Sequence, residues 1–291
     1  MSTLTRLGLF APRRQNLSLG KAVEMALSHN LSPRSIRTYR FHAARLLEHF
    51  GDRDLSSIRS QEVEDYIRAR LGAGKSTSTV HYEVTFFGRV FRVAGQKGMC
   101  PFNPVAEVEK PRCRRGRLRT ASVAEEGRMA LELRGEDRAI ARLAVLTGMR
   151  RGELVQMEPR DVNLDLGFVY VREEVAKSKR PRVVPLNEEA VGILERHGDL
   201  DGRWVWLNNG NPDRYAVAEA LGCRWRRARK QAGVHDLRFH DLRHTTGTRL
   251  AMNGEQAHVI QAYLGHTTSR MTDRYVNLHP EFLKGAASRL K

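Results

Sequence analysis

Residues 238–277, RFHDLRHTTGTRLAMNGEQAHVIQAYLGHTTSRMTDRYVN, decide how the rest of the chain is read. A helix-like run carries His240 and Arg243 three positions apart, hence on one face. Leu264-Gly265-His266 marks a helix end, and Tyr275 follows His266 by nine positions. An imidazole, a guanidinium, a second imidazole and a phenol together suit a phosphate: the cationic fork holds its oxygens, a base takes a proton and the phenol attacks. Taken singly, each His or Tyr is equally at home as a packing residue. The set gains meaning only if a second arginine and a proton donor occur elsewhere in the chain.

Upstream of this stretch, a helix over Asp213–Ala232 contains CRWRRARKQ, whose cations spread around the helix; Arg226 and Arg227 are read as facing a DNA groove. Before it, Phe168–Val171 and Arg182–Pro185 read as strands flanking the basic AKSKRP. They make a small antiparallel hairpin with Lys177, Lys179 and Arg180 near its tip, to which Trp204-Val205-Trp206 adds a short edge strand. Ser122-Val123-Ala124-Glu125 is a capping box. Helices follow to about Arg134 and over Arg138–Leu146, and Thr147-Gly148 ends the second just before MRRGEL opens another turn. Arg150 therefore sits where a helix end meets a helix start, and there a side chain and free backbone amides can face one phosphate.

The N-terminal part has four helical signals. Ser18 caps a run with Ala22, Val23, Ala26 and Leu27 on one face, and Ser32-Pro33 opens a second that ends at Gly51. Ser60 precedes a third with Val63, Tyr66 and Ile67. The fourth, from about Thr77 to Ala94, buries Val80, Val84, Phe87 and Phe91. The expected layout is a flexible arm over 1–16, a four-helix domain over 17–106 and a basic linker over 107–120. An α+β domain over 121–278 and a tail helix over 279–291 complete it. Residues 111–120 hold five arginines and no acid, and Arg114, Arg115, Arg117 and Arg119 are read as lying along a duplex backbone. The fold class expected is mainly α, in two domains, with a small antiparallel sheet in the second.

With a formal net charge of +17, the chain calls for a polyanionic partner. Both halves share the excess: residues 1–110 hold 17 Lys and Arg against 10 Asp and Glu, and the remainder 33 against 23. No run of about 18 apolar residues suits a membrane, and residues 1–16 lack the apolar core of a secretion signal. Cys100, Cys113 and Cys223 are odd in number and scattered, which gives neither a disulfide framework nor paired metal ligands. The location expected is cytoplasmic, in a prokaryotic cell or with its nucleoid. His240 and His244 are four apart, but no third ligand completes a metal site, and no metal is expected.

In the order Arg150, Lys177, His240, Arg243, His266, Tyr275, the chain resembles the tyrosine recombinase or phage integrase family, in its Xer-like form. The motifs are TGMRRGEL, AKSKRPRVVPL, HDLRHT, LGH and DRY, and the likeness runs from about residue 17 onward. Each motif is weak alone, but the ordered set is specific. The resemblance implies an N-terminal core-binding domain and a catalytic domain that together clamp a duplex.

It also implies roles. Tyr275 would be the nucleophile, Arg150 and Arg243 the holders of the non-bridging oxygens, His266 a further donor and His240 the acceptor of the phenolic proton. Lys177 would protonate the leaving 5′ oxygen, with Lys179 the fallback, and Glu153 matches an orienting carboxylate. The reaction implied is site-specific DNA recombination through a 3′-phosphotyrosyl intermediate, without cofactor, metal or ATP. The partner is double-stranded DNA carrying recombination sites, bound by a homotetramer on paired sites and by a monomer or weak oligomer when free. Two other readings stay open: a type IB topoisomerase-like relaxing enzyme, and a non-enzymatic basic DNA-binding regulator.

Overall fold

Serine side chains start three of the N-terminal helices by accepting backbone N–H groups that the first turn leaves without partners. Ser18 accepts from Lys21, Ser32 from Ser35 and Ser76 from Thr79. The computed structural model describes residues 17–113, 118–176, 178–207 and 210–276, and the chain divides into two units, residues 1–116 and 117–291.

In the first unit α1 (Leu19–Ser28), α2 (Pro33–Phe50), α3 (Ser60–Gly72) and α4 (Thr77–Gln96) share one core. Ser60 is the first residue of α3: Arg59 is the N-cap, and Glu62 reaches back to its N–H at 3.0 Å. Helix α4 is the central element, because Phe86 and Val90 are buried beside the expected Val80, Val84, Phe87 and Phe91, so its apolar face is wider than one stripe. Its buried Glu83 is satisfied by Tyr66 Oη at 2.8 Å and by both Nε and Nη2 of Arg70.

The basic stretch between the units is anchored on both flanks. Val108 is buried in the first unit's core, while Leu118 packs on the second unit and Ala121 N donates to Thr245 Oγ1 at 2.8 Å. Apolar burial and a backbone hydrogen bond fasten the two ends. Arg114, Arg115 and Arg117 lie outside the described residues, as do 1–16 and 277–291.

The second unit comprises α5 (Val123–Glu132), α6 (Gly135–Thr147), α7 (Arg151–Val155), β1 (Val162–Asn163), β2 (Phe168–Val171), β3 (Arg182–Pro185), α8 (Glu188–His197), α9 (Arg214–Gln231), α10 (Asp241–Met252), α11 (Ala257–Leu264) and α12 (Asp273–Val276). The sheet is antiparallel in the order β1-β2-β3, with Val169 opposite Val184 and Val171 opposite Arg182. Val169, Val171 and Val184 face the core while Tyr170 and Val183 pair on the exposed face. By the two-residue period of a strand, Arg182 shares the inner face with Val184.

Trp204-Val205-Trp206 forms no strand. Val205 N donates to Met157 O at 3.1 Å, but the apolar run serves burial instead of pairing: Trp206 is fully buried, its carbonyl accepts from Arg214 Nη2 at 2.8 Å, and Arg214 lies over the Trp204 ring at 4.8 Å. Among the described residues no helix is long and apolar enough to cross a membrane.

Candidate active site

Two helices end at left-handed glycines, and those ends organise the site. Gly148 (φ 61°) stops α6 and Gly265 (φ 65°) stops α11, conformations that an L side chain adopts only with strain. A helix C-terminus leaves carbonyls without partners and carries the negative end of the helix dipole, so cations and hydroxyls gather there. At the end of α6, Val145 O accepts from Thr246 Oγ1 at 2.7 Å, Leu146 O from Tyr263 Oη at 2.9 Å and Gly148 O from Arg243 Nη1 at 2.7 Å. At the end of α11, Leu264 O accepts from Arg243 Nη2 and Gly265 O from Arg150 Nη2 at 3.4 Å. Arg243 thus bridges both helix ends, and Arg150, from a distant part of the sequence, is fixed against the second of them.

Arg150 is the N-cap of α7. Its backbone N donates to Glu153 Oε2 at 2.9 Å and its Nη1 to Oε1 at 2.8 Å. The same carboxylate receives Arg182 Nη1 at 3.1 Å and Nη2 at 2.6 Å. Burial alone would raise the Glu153 pKa, but the Arg182 hydrogen bonds and the charges of Arg182 and Arg150 overcome it and hold it at about 2. Arg243, only 3% exposed, is pushed down to about 9 by burial and then by Arg150, and so stays charged at neutral pH. Arg150 and Arg182 hold the carboxylate between them and Arg243 lies within electrostatic reach of it, an arrangement with surplus positive charge at low dielectric that favours an incoming anion. Among the described residues, Arg182 Nε is buried without a hydrogen-bond partner.

Tyr275 completes the cluster from α12. It is 2% exposed, its ring stacks on His266 with centroids 5.9 Å apart, and its hydroxyl lies 2.8 Å from His244 Nδ1. His266 is held in turn by Thr272 Oγ1, 2.9 Å from its Nδ1. Gly247 on α10 makes room for the phenol: a Cβ there would stand 2.8 Å from Tyr275 Cζ. His240 is exposed at the N-cap of α10, its ring 5.2 Å from that of His244. The phenol thus meets His244, a partner the sequence reading left unassigned.

The structure brings Arg150, Glu153, Arg243, His266 and Tyr275 together around this point. Lys177 lies outside the described residues; Lys179 (φ 53°) and Arg180 are exposed in the β2–β3 connection. Arg119, read as lying along a duplex backbone, makes a two-pronged ion pair with Glu125, the carboxylate that completes the capping box of α5. Arg224 is likewise paired, with Asp137, whereas Arg226 and Arg227 are exposed on α9. Two residues of the cluster were missed. Arg182 had a usable signal, since a cation on the apolar face of a strand needs a buried partner. His244 had only its helical spacing from His240.

A fold of helices around a small sheet, with buried arginines beside a sheltered phenol, is the class of molecule at hand. The profile of the phage integrase family matches residues 128–281. The integrase of Salmonella phage P22 is 28% identical over 225 residues, which is 72% of this chain and 56% of that protein. This chain therefore spans little more than half of that relative's length. Tyrosine recombinase XerD of Yersinia pestis is 28% identical over 281 residues, 89% of this chain and 91% of its own. The structure also matches that of a lambda integrase tetramer bound to a Holliday junction, with TM-score 0.70 and 19% identity over 90% of this chain and 78% of that one. The chain belongs to the phage integrase family of tyrosine recombinases.

Proposed function

We propose that the protein is a site-specific DNA recombinase that cuts and rejoins strands through a 3′-phosphotyrosyl intermediate. The observation that carries this reading is the convergence of Arg150 and Arg243 with His266 and the Tyr275 phenol. In the reaction the Tyr275 oxygen bonds to phosphorus as the bond to the 5′ oxygen breaks. Arg150 and Arg243 offset the charge that grows on the non-bridging oxygens, with His266 as a further donor. Glu153 holds Arg150 in place. Lys177 gives the departing 5′ oxygen its proton, with Lys179 the alternative donor. The phosphotyrosyl link conserves the bond energy, so a 5′-hydroxyl from another strand reverses the step without ATP, and the arginines do the charge work that metal ions do in many nucleases.

Residues 17–106 act as a core-binding domain, and with residues 121–278 they hold a duplex, with Lys179, Arg180, Arg226 and Arg227 on its phosphates. The basic linker, with Arg114, Arg115 and Arg117, follows the backbone between them. Four copies assemble on paired sites, as lambda integrase does on a Holliday junction, and residues 279–291 contact a neighbouring protomer. Because Tyr275 and Arg243 are nearly inaccessible in the free protein, whatever covers them has to open before a phosphodiester can enter.

The test begins with duplexes recovered by binding from a random-sequence pool. Resynthesised with a nick beside the cleaved phosphate, they should trap a covalent protein–DNA species on a denaturing gel. Tyr275→Phe should still bind them and form none. A wild-type protein that never becomes covalently attached, or a Tyr275→Phe protein that does, refutes the proposal; relaxation of supercoiled plasmid lacking the recovered site would point to a topoisomerase.

A further inference from the structure

His244 lies one residue beyond Arg243 on α10 and is 9% exposed. A buried phenolic hydroxyl needs a hydrogen-bond partner, and for Tyr275 the imidazole Nδ1 of His244 stands at 2.8 Å. The geometry around this contact is well determined by packing. Gly247, one turn along the same helix, admits the phenol edge; Leu264 borders it, and the His266 ring lies parallel to its face with 14° between planes. The phenol oxygen is therefore aimed at one nitrogen by contacts on several sides. The resemblance assigns the phenolic proton to His240, which is exposed at the start of the helix with its ring edge-on to His244.

We propose that His244 positions the Tyr275 phenol and accepts its proton as the nucleophile attacks. The inference rests on the recombinase reading and assigns a residue to its first step. As the Tyr275 oxygen bonds to phosphorus, its proton passes to His244 Nδ1, the bond to the 5′ oxygen breaks, and that oxygen takes a proton from the Lys177 side chain. In the rejoining step an incoming 5′-hydroxyl attacks phosphorus and gives its proton to the Lys177 amine, the bond to the Tyr275 oxygen breaks, and His244 returns the proton to the phenol. A phenol in water is almost wholly protonated at neutral pH, so a base already in contact with it removes a barrier that solvent would otherwise have to overcome. Among the described residues, the other ionisable groups around the pair are His240, Arg243, His266, Arg150, Glu153 and Arg182. Of these, Arg150, Arg182 and Arg243 are cations that favour the phenolate once the proton has left.

The test separates holding from proton transfer. His244→Asn places an amide oxygen near the position of Nδ1, so it keeps a hydrogen bond but accepts no proton; His244→Gln loses the bond as well. In free protein labelled with ¹³Cζ-tyrosine, the resonance absent from Tyr275→Phe identifies the nucleophile. It should stay near its wild-type position in His244→Asn and move in His244→Gln. A resonance indifferent to both substitutions overturns the positioning role, and this measurement needs no DNA.

On the nicked duplexes recovered by selection, covalent attachment should slow by about 100-fold or more in both variants at neutral pH. The deficit should narrow as rising pH lets hydroxide remove the proton, while DNA affinity is unchanged. A deficit equal at every pH marks His244 as a packing residue. A pH-dependent deficit in His240→Gln but not in the His244 variants returns the proton to His240. Absence of any attachment by wild-type protein sinks the recombinase reading instead, and the tyrosine resonance still decides whether His244 holds the phenol.

Discussion

Gly247→Ala tests how tightly the nucleophile is seated. The added Cβ would stand 2.8 Å from Tyr275 Cζ, 2.9 Å from Cε2 and 3.0 Å from Leu264 Cδ1. Carbon atoms prefer roughly 3.5–4.0 Å, so the ring has to retreat by about 0.7 Å or more. Overpacking of this kind costs about 1–3 kcal/mol, whereas alanine in place of glycine inside a helix returns about 1 kcal/mol. Global stability should therefore fall by at most about 2 kcal/mol, while the docked position of Tyr275 bears the full clash. At a factor of ten per about 1.4 kcal/mol, the undocked population of α12 rises roughly 5- to 150-fold. Hydrogen exchange reads this directly at the Tyr275 amide, which donates to Thr272 O at 2.9 Å. Covalent attachment to DNA should also slow by about 100-fold, the usual consequence of a reacting atom misplaced by about 1 Å. If the α12 amides exchange no faster than in wild type while the chemical-denaturation midpoint barely moves, the seat is not formed by α10 and the reasoning fails.

Three further outcomes follow from the same geometry. Glu153 is buried and its pKa lies at about 2 instead of the ordinary 4.5. Since the folded value is the depressed one, the stability it confers is complete above the unfolded value and is lost as pH falls from about 4.5 towards 2. It amounts to about 3 kcal/mol, and urea unfolding of wild type against Glu153→Gln should converge across that window; parallel curves would count against the ion pairs. Arg182→Met should leave DNA binding intact and slow covalent attachment by about 10-fold or more, because Glu153 loses two of its donors and Arg150 its fixed orientation; an unchanged rate would make Arg182 a purely structural cation. Affinity for the selected duplex should fall with a slope of about −0.9 in log–log salt dependence for each phosphate neutralised, and a flat response would remove the extended basic contact that the net charge of +17 implies.

The helices were legible in the sequence where local chemistry sets them. Ser18, Ser32 and Ser122 announce their helices because the capping hydrogen bond closes within three residues, and the valine-rich runs of 168–171 and 182–185 on either side of a basic segment announce the hairpin. Trp204-Val205-Trp206 misled for the complementary reason: its apolar run serves burial and the Arg214 guanidinium, which composition alone cannot distinguish from a strand. The Arg119–Glu125 pair was not legible, because charge in a sequence carries no record of its partner.

What the sequence determined by itself was the family, through the ordered motifs around Arg150, Arg243, His266 and Tyr275, together with the helical periods that place those residues at helix ends. Tertiary structure alone decided that Arg182 shares Glu153 with Arg150, that Gly247 admits the phenol and that His244 meets its hydroxyl. Each of those contacts joins residues 28 to 31 positions apart. A capping or periodic signal repeats within a few residues of itself, whereas such pairings depend on how α7, β3, α10 and α12 come together, and that is set by the packing of the whole second unit.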